Sequence, residues 1–261
     1  MAGVRVDAHV KVLDERVVHR AKRRGLDALV YAPHFSRLPE IRARAERFSD
    51  EDLLVVPARE VFTGDWRNRK HVLALALEVP VPDFVTLGRA MAEFDRQDAV
   101  VLAPHPEFAT VSLETTDLER YGDQIHGVEV YNPKHWSGHN ERAAELAEAF
   151  DIPAFGSSYA HLRGTVGEGW TAFETALESR DAIVEAFRER RSRGVYHRSG
   201  LGHRLRRAAE FSHLFYENGL SKASLLLKGV KPTNPYHPAY DGRFVDDAVY
   251  RRPQVRTFND R

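Results

Sequence analysis

Imidazole and carboxylate side chains recur where the predicted β-strands end or begin. A lone histidine is usually a hydrogen-bonded structural residue, but histidines at the ends of several strands are not expected by accident. Neutral imidazoles combined with a carboxylate bind zinc, manganese or iron, whereas magnesium and calcium prefer sites built from oxygen alone. The sequence therefore predicts a divalent transition-metal site with these candidate ligands: His9, His34, Glu60, His71, His105 and His161.

These side chains can meet only if the strands that carry them lie in one sheet. Apolar runs of strand length alternate with amphipathic stretches as far as about residue 200, which is typical of repeated βα units. In a barrel of parallel strands the C-terminal strand ends converge on one face, where barrel enzymes keep their active sites. We therefore expect an α/β barrel over residues 1–200, with a C-terminal helix and tail, residues 201–261, packed on it.

The apolar periodicity defines the individual elements. Predicted strands cover residues 4–12, 28–32, 53–62, 70–79, 99–104, 126–131, 152–157 and 194–197, and the barrel should contain about seven of them. Predicted helices cover residues 14–24, 39–48, 83–96, 140–150, 171–191 and 204–219. Asp14 is placed to cap the first helix and Gly25 to end it.

Composition narrows the class of protein. The 261 residues contain no cysteine, so thiol chemistry is excluded and a transition-metal site must use histidine and carboxylate. Lys and Arg together number 38, as do Asp and Glu, so charge does not indicate nucleic acid as the main partner. The apolar runs are too short to span a membrane. We expect a cytoplasmic protein without a membrane partner, and the oligomeric state stays open.

Several short stretches, taken in order, resemble the motifs of the polymerase-and-histidinol-phosphatase (PHP) superfamily. The most similar is GVEVYN at residues 127–132, which resembles the family's Gly-Ile-Glu-Val-Tyr-Asn strand. The others are VDAHVK at 6–11, VYAPH at 30–34, PAREV at 57–61 with HVLAL at 71–75, VLAPHP at 101–106 and SSYAH at 157–161. The resemblance covers about residues 4–200 and implies a distorted (β/α)7 TIM-like barrel of the PHP type.

The same resemblance implies a metal site that is partly degenerate. Members of the family hold two or three divalent ions that activate water and bind phosphate. Lys11, Pro33 and Tyr159 stand where the family has a histidine and two aspartates. None of these three can replace the missing ligand, so the resemblance implies zinc, manganese or iron in fewer than the usual three positions.

The remaining candidate ligands fall into two sets by this resemblance. The first holds the principal ion: Glu60, His71 and His105. The second assists it: His9, His34 and His161. Within the second set the last two lack a carboxylate partner, which Asp7 or Asp14 could supply, although a buried hydrogen bond for Asp7 and a helix cap for Asp14 are equally consistent with the sequence.

Two functions are consistent with such a site. In the first, the chain is a metal-dependent phosphoesterase or phosphatase of the PHP type that hydrolyses a small phosphorylated substrate, with nucleic acid a less indicated alternative. Lys11 would then supply positive charge, and Arg163 or Arg67 would clamp phosphate. Each of these three is also consistent with an ordinary solvated side chain.

In the second function the barrel is catalytically decayed and acts as a binding or interaction protein, RNA-related partners included. The barrel subunit of archaeal and eukaryotic RNase P resembles this superfamily and lacks its metal centre. The complete Glu60, His71 and His105 group favours the first function.

Two further signals are weaker. His135 and His139 lie four apart, which suits metal binding on a helix, but Ser137 and Gly138 indicate a loop, so substrate contact or helix capping is favoured. Trp66 lies in the connection between Glu60 and His71, where it could contact an aromatic group or cap the barrel end.

Overall fold

The structure is a computed structural model that describes residues 3–64, 69–108 and 111–228. The strands of this part of the chain are β1 (Val4–Val10), β2 (Ala28–Tyr31), β3 (Leu54–Thr63), β4 (Lys70–Leu75), β5 (Val100–Ala103), β6 (Ile125–Tyr131), β7 (Ala154–Gly156), β8 (Gly169–Phe173) and β9 (Arg193–His197). The helices are α1 (Glu15–Arg23), α2 (Leu38–Phe48), α3 (Leu87–Arg96), α4 (Thr115–Tyr121), α5 (Ser137–Ala149), α6 (Arg180–Arg188) and α7 (Leu201–Lys228).

The strands form one mixed sheet in the order β7-β6-β5-β4-β3-β2-β1-β8-β9. Strands β1, β2 and β3 pair in parallel, as do β5, β6 and β7. Strand β4 is antiparallel to both of its neighbours, and β8 is antiparallel to β1 and to β9. The two ends of the sheet approach each other where Thr171 Oγ1 exchanges hydrogen bonds of 3.0 Å with the backbone of Gly156. The sheet is therefore a nearly closed barrel, which confirms the predicted α/β barrel fold.

Apolar side chains fill both surfaces of this sheet. Leu73, Leu102 and Phe155 on the strands pack with Phe187 of α6 in one buried cluster. Two further clusters join the strands to the helices outside them, one with α1 and α2 and the other with α3 and α5. Because burial of apolar area is the main favourable term in folding, these clusters hold the strand ends in place.

The start of α1 shows how local sequence defines an element. Asp14 is the N-cap, and its Oδ1 accepts a hydrogen bond of 3.0 Å from Val17 N–H. Gly25 follows the helix at a φ of 70°, a conformation that glycine adopts without strain. Both predicted boundaries of this helix are confirmed.

The structure differs from the predicted elements in several places. The predicted strand 70–79 ends at Leu75 as β4, and the predicted helix 83–96 begins at Leu87 as α3. Residues 171–173, predicted as the start of a helix, belong to β8, and the helix that follows is shorter. Helix α4 was not predicted. The described sheet has nine strands where about seven were expected in the barrel. Strand β8 was not predicted, and it pairs with the predicted β9 in an antiparallel hairpin that extends the sheet beyond β1.

The predicted C-terminal helix is present as α7, and its His203 and Glu210 are buried. The predicted tail from residue 229 onward, together with Trp66 and Arg67, lies outside the described residues. The division at residue 200 stays a prediction. Among the described residues, no helix combines the length and apolar character needed to cross a bilayer.

Candidate metal centre

The carboxylate of Glu60 lies at the centre of the candidate site. It is carried by β3 and is completely buried. Its Oε1 lies 3.5 Å from His9 Nε2, 3.3 Å from His71 Nδ1 and 3.3 Å from His105 Nε2. Its Oε2 lies 2.6 Å from Lys11 Nζ and 2.5 Å from His34 Nε2. Five of the predicted site residues therefore surround the predicted carboxylate.

The antiparallel pairing of β3 and β4 places His71 in this cluster. Phe62 pairs with His71 in register, so the first residues of β4 lie beside the last residues of β3. The imidazole of His71 stacks on the Phe62 ring with centroids 3.8 Å apart and an interplanar angle of 6°. In an all-parallel barrel a histidine at the start of a strand would lie at the opposite end from the site. The reversed strand therefore explains why a histidine that opens a strand belongs here.

Hydrogen bonds behind the imidazole orient His105. Ser112 Oγ lies 3.1 Å from Nδ1, so Nε2 faces Glu60. The backbone N–H of His105 donates to Glu129 Oε2 at 2.8 Å, and the residue has a φ of 34°, which is uncommon for a residue with a side chain. Buried partners of this kind fix the tautomer and orientation of histidine ligands. Glu129 therefore acts as a support for the cluster.

The cluster fits a divalent transition ion. Glu60, His71 and His105 offer ligand atoms that all lie within 4.8 Å of one another. Four ligand atoms at about 2.1 Å from zinc in a tetrahedron lie about 3.4 Å apart, close to the three contacts of Glu60 Oε1. Both ring nitrogens of His9 and of His71 are buried, and no described group offers them a hydrogen bond of normal geometry. Buried polar atoms of this kind need a partner, which a metal ion would provide.

Protonation also suits metal binding. Burial lowers the pKa of His71 to about 3, and burial and the Lys11 ammonium lower the pKa of His9 and His34. Against the opposing effect of burial, the Lys11 ammonium and a hydrogen bond from His105 hold the pKa of Glu60 well below its ordinary value. The imidazoles of His9, His34 and His71 are therefore neutral and the carboxylate is ionised near pH 7, as ligands must be.

Lys11, predicted to supply positive charge in the site, lies directly beside Glu60. Its Nζ donates to the backbone oxygen of Ala32 at 2.7 Å and to Glu60 Oε2 at 2.6 Å. Burial lowers the pKa of Lys11 to about 8 against the opposing effect of Glu60, so the group is mostly protonated at pH 7. The side chain is 5 % exposed, which excludes the alternative of a lysine that extends into solvent.

His34 and His161 lie on the more open side of the cluster. Their ring centroids are 5.4 Å apart, and the side chain of His34 is 29 % exposed. Glu60 is the carboxylate beside His34. Neither aspartate considered for that role supplies it, because Asp7 accepts hydrogen bonds from Ser158 and from Gly167 N–H, and Asp14 caps α1.

Arg163 lies in a different environment from the residues around Glu60. Its side chain is 58 % exposed, and its Nε donates to Asp14 Oδ2. This ion pair engages the guanidinium at an exposed position. The predicted phosphate clamp by Arg163 therefore stays a prediction.

The His135 and His139 pair does not have the arrangement of helical ligands. His135 precedes α5, and its Nδ1 lies 3.0 Å from Asn140 Oδ1, while its ring centroid is 6.2 Å from that of His139. The loop predicted at Ser137 and Gly138 is wrong, because both residues lie in the first turn of α5.

Sequence reasoning missed two charged residues of the pocket, Lys134 and Glu210. Both are buried, and Lys134 Nζ lies 2.5 Å from His161 Nδ1 and 3.2 Å from Glu210 Oε2. Lys134 follows β6 in an irregular stretch, and Glu210 lies in a helix with many exposed charges, so neither had a periodic signal. The motif that ends at Asn132 was the only local indication that the residues after it approach the site.

Comparison with known proteins supports the resemblance of the chain to the PHP superfamily. Residues 137–192 match the family model PHP_C, described as PHP-associated. The crystal structure of PsfC from Pseudomonas syringae PB-5123 superposes with a TM-score of 0.61 and 21% identity, over 84% of this chain and 100% of that one. A search of curated protein sequences gave no match.

Two other solved structures share the fold. One is a protein from Bifidobacterium adolescentis, provisionally assigned as a metal-dependent phosphoesterase, with a TM-score of 0.51 and 15% identity over 70% of this chain and 96% of that one. The other is the lesion-specific endonuclease PfuEndoQ from Pyrococcus furiosus, with a TM-score of 0.51 and 16% identity over 74% of this chain and 57% of that one. At these identities the likeness establishes the fold.

Proposed function

We propose that this chain, a PHP superfamily protein by its barrel and its PHP-associated segment, is a metal-dependent phosphoesterase that acts at the Glu60 centre. One observation carries the proposal. Nitrogens of three buried imidazoles, those of His9, His71 and His105, converge on Glu60 Oε1 at 3.3–3.5 Å. Several imidazoles around a carboxylate form the donor set that zinc, manganese and iron prefer.

The residues of the chain divide the work at this centre. When bound, a divalent transition ion supplies Lewis acidity that favours hydrolysis near neutral pH. Glu60, His71 and His105 would hold the principal ion, with His9, His34 and His161 assisting. Lys11 adds a fixed positive charge next to Glu60, which would attract a phosphate ester and reduce the number of ions needed.

Access to the centre supports a small phosphorylated substrate. The side chains of His9, Glu60, His71 and His105 are at most 5 % exposed, whereas His34 is 29 % exposed. A substrate would therefore enter beside His34 and His161. A nucleic-acid substrate has one point of support, the fold shared with PfuEndoQ, but the balance of 38 basic and 38 acidic residues does not favour it.

A decayed binding protein is less consistent with the pocket. Without an ion, the buried ring nitrogens of His9 and His71 would have no hydrogen-bond partner among the described residues, which is unfavourable. A barrel that had lost its chemistry would gain stability by replacing these imidazoles with apolar side chains.

Elemental analysis combined with a hydrolysis assay tests the proposal. The protein is purified untagged and without chelator, and hydrolysis of p-nitrophenyl phosphate and of a nucleoside monophosphate is followed with added Mn²⁺ or Zn²⁺. We expect about one or more transition ions per chain and turnover that chelator abolishes. His105→Ala should lose both metal and turnover, whereas the surface variant Glu114→Gln should keep both. Absence of metal and of turnover in the wild type would instead favour the binding protein.

A further inference from the structure

A second buried lysine lies beside the metal centre. Lys134 follows β6, and its side chain is 1 % exposed. Its Nζ lies 2.5 Å from His161 Nδ1, 3.2 Å from Glu210 Oε2 and 4.2 Å from the centroid of the Tyr159 ring. Removing an ammonium group from water is costly, so a lysine held in this way is a candidate for function rather than a solvated surface charge.

Lys134 and Lys11 lie around one aromatic ring. Lys11 Nζ is 5.4 Å from the centroid of Tyr159, which also contacts the rings of His9 and His161. Tyr159 has a φ of 42°, so its backbone is held in a conformation uncommon for a residue with a side chain. The two buried ammonium groups thus lie around one ring that contacts His161, next to the side of the cluster where a substrate would enter.

Glu210 of α7 holds Lys134 in this position. Its Oε1 accepts hydrogen bonds of 2.9 Å from the backbone N–H groups of His161 and Leu162, and a further one from Thr165 Oγ1. The carboxylate is completely buried, and its other oxygen, Oε2, faces Lys134 Nζ. Helix α7 therefore belongs to the pocket, with Glu210 as a positioning residue.

The charges of the pocket indicate what this lysine binds. Lys11 is balanced by Glu60 and Lys134 by Glu210 while the pocket holds no cation. Once Glu60 is engaged by a divalent ion, positive charge exceeds negative charge around Tyr159. A dianion would restore the balance, and a phosphate group has both the charge and the acceptor oxygens that ammonium groups recognise.

We infer that Lys134, held by Glu210, binds the phosphoryl group of the substrate together with Lys11. The inference rests on the proposed function for the identity of the anion as a phosphoryl group, but it concerns binding and can be measured without turnover. It predicts that inorganic phosphate binds to the protein through Lys134.

Calorimetric titration with inorganic phosphate tests the inference. The wild type, Lys134→Met and the double variant Lys134→Met/Glu210→Gln are titrated with and without Mn²⁺, and bound metal is measured in parallel. Methionine keeps the length of the side chain, and glutamine keeps an oxygen for the two backbone donors, so the double variant removes the charge pair without leaving one charge buried alone. Lys22→Met, which removes a surface ammonium, is the matched control.

We expect both Lys134 variants to bind phosphate about tenfold more weakly or worse, with metal content unchanged. Lys22→Met should stay within about twofold of the wild type. Phosphate affinity within about twofold of the wild type in the double variant, or no phosphate binding by the wild type, would overturn the inference. Should Lys134→Met alone lose cooperative unfolding, the double variant decides. Failure of the proposed function is distinct, since it would show as absent metal-dependent turnover in the wild type.

Discussion

The two sides of the pocket differ in how they supply positive charge. One side, the ligand side, consists of Glu60, His71 and His105, where buried imidazoles face an ionised carboxylate. The other, the lysine side, consists of Lys11, Lys134 and Tyr159, where ammonium groups supply the positive charge. The ligand side can recruit a cation from solution, whereas the lysine side carries its own. The pocket therefore combines a donor set for a metal ion on one side with fixed positive charge on the other.

The largest effect that distinguishes the two sides should come from removing Glu60, which both sides contact, or the ligand His105. We expect Glu60→Ala and His105→Ala each to abolish metal retention, because each removes one of three ligand atoms that lie close together. Turnover should fall by about a thousandfold or more. Metal content measured after gel filtration, with Glu114→Gln as control, checks this prediction.

Glu60→Ala also leaves the Lys11 ammonium without its partner, so its unfolding must be measured alongside. His105→Ala does not have that complication. Metal content that ignores both substitutions would show that the ligand side is not the metal site.

Lys11→Met should have the next largest effect and the opposite pattern. The ion should remain bound, because the ligand side is intact, while turnover should fall by about a hundredfold as one charged contact to the phosphate is lost. Parallel metal analysis and kinetics on Lys11→Met and Lys22→Met check this. Loss of the ion from Lys11→Met would merge the two sides into one functional unit.

The ligand side was largely predictable from the sequence, and the lysine side was not. Glu60 and His105 lie near the C-terminal ends of apolar strands, which converge on one face of a parallel barrel, and His71 opens the strand that a short connection joins to β3. Lys134 lies in an irregular stretch, and its burial depends on Glu210, which is 76 positions away in a helix that looks solvated. Periodicity records which face of an element is apolar, and it carries no record of a pairing between two charges.

The fold shows the same limit. Strand β1 and helix α1 follow from local alternation and capping, and both were predicted. Residues 171–173 were assigned to a helix because three residues cannot establish a period, and their strand conformation comes from pairing with Val4–Val6 and with β9. Long-range pairing of this kind overrides local propensity.

Asp7→Asn should lower the stability of the fold next to Tyr159, on the lysine side, and leave metal binding by the ligand side unchanged. Asp7 accepts hydrogen bonds from the N–H and hydroxyl of Ser158 and from the N–H of Gly167, next to Tyr159. An amide in its place turns an N–H group toward one of these donors. We expect a loss of about 2–3 kcal/mol in the free energy of unfolding, measured by denaturant titration. Metal content should not change, and a large loss of metal would contradict the separation of the two sides.

Glu168→Gln should weaken the packing of α7 against the barrel. Because α7 carries Glu210, this change should also affect the lysine side. Glu168 pairs with Arg24 at 2.6 Å and with His203 of α7 at 2.6 Å, and also with Arg206. We expect a loss of about 1–2 kcal/mol in the free energy of unfolding at pH 7, measured by denaturant titration.

The effect of Glu168→Gln should depend on pH. Against the effect of burial, His203 and the neighbouring guanidinium groups hold the pKa of Glu168 below its ordinary value of 4.5. A carboxyl group with a lowered pKa stabilises the fold above its unfolded pKa and loses that contribution as pH falls through the folded value. The wild type and Glu168→Gln should therefore differ at pH 7 and converge as pH falls below 4.5 and through the lowered pKa of the folded state. A difference that is constant from pH 7 to pH 3 would show that charge is not the cause.

Arg163→Ala should have the smallest effect and tests whether the lysine side extends to the surface. The guanidinium is 58 % exposed and pairs with Asp14, so its loss should cost at most about 0.5 kcal/mol of stability. If Arg163 stays with Asp14 during turnover, KM for p-nitrophenyl phosphate should change by less than about twofold. If it leaves Asp14 to clamp the substrate, KM should rise about tenfold with bound metal unchanged. Asp14→Asn, which frees the guanidinium while keeping the helix cap, should then lower KM, and only a clamping arginine would produce that opposite pair of changes.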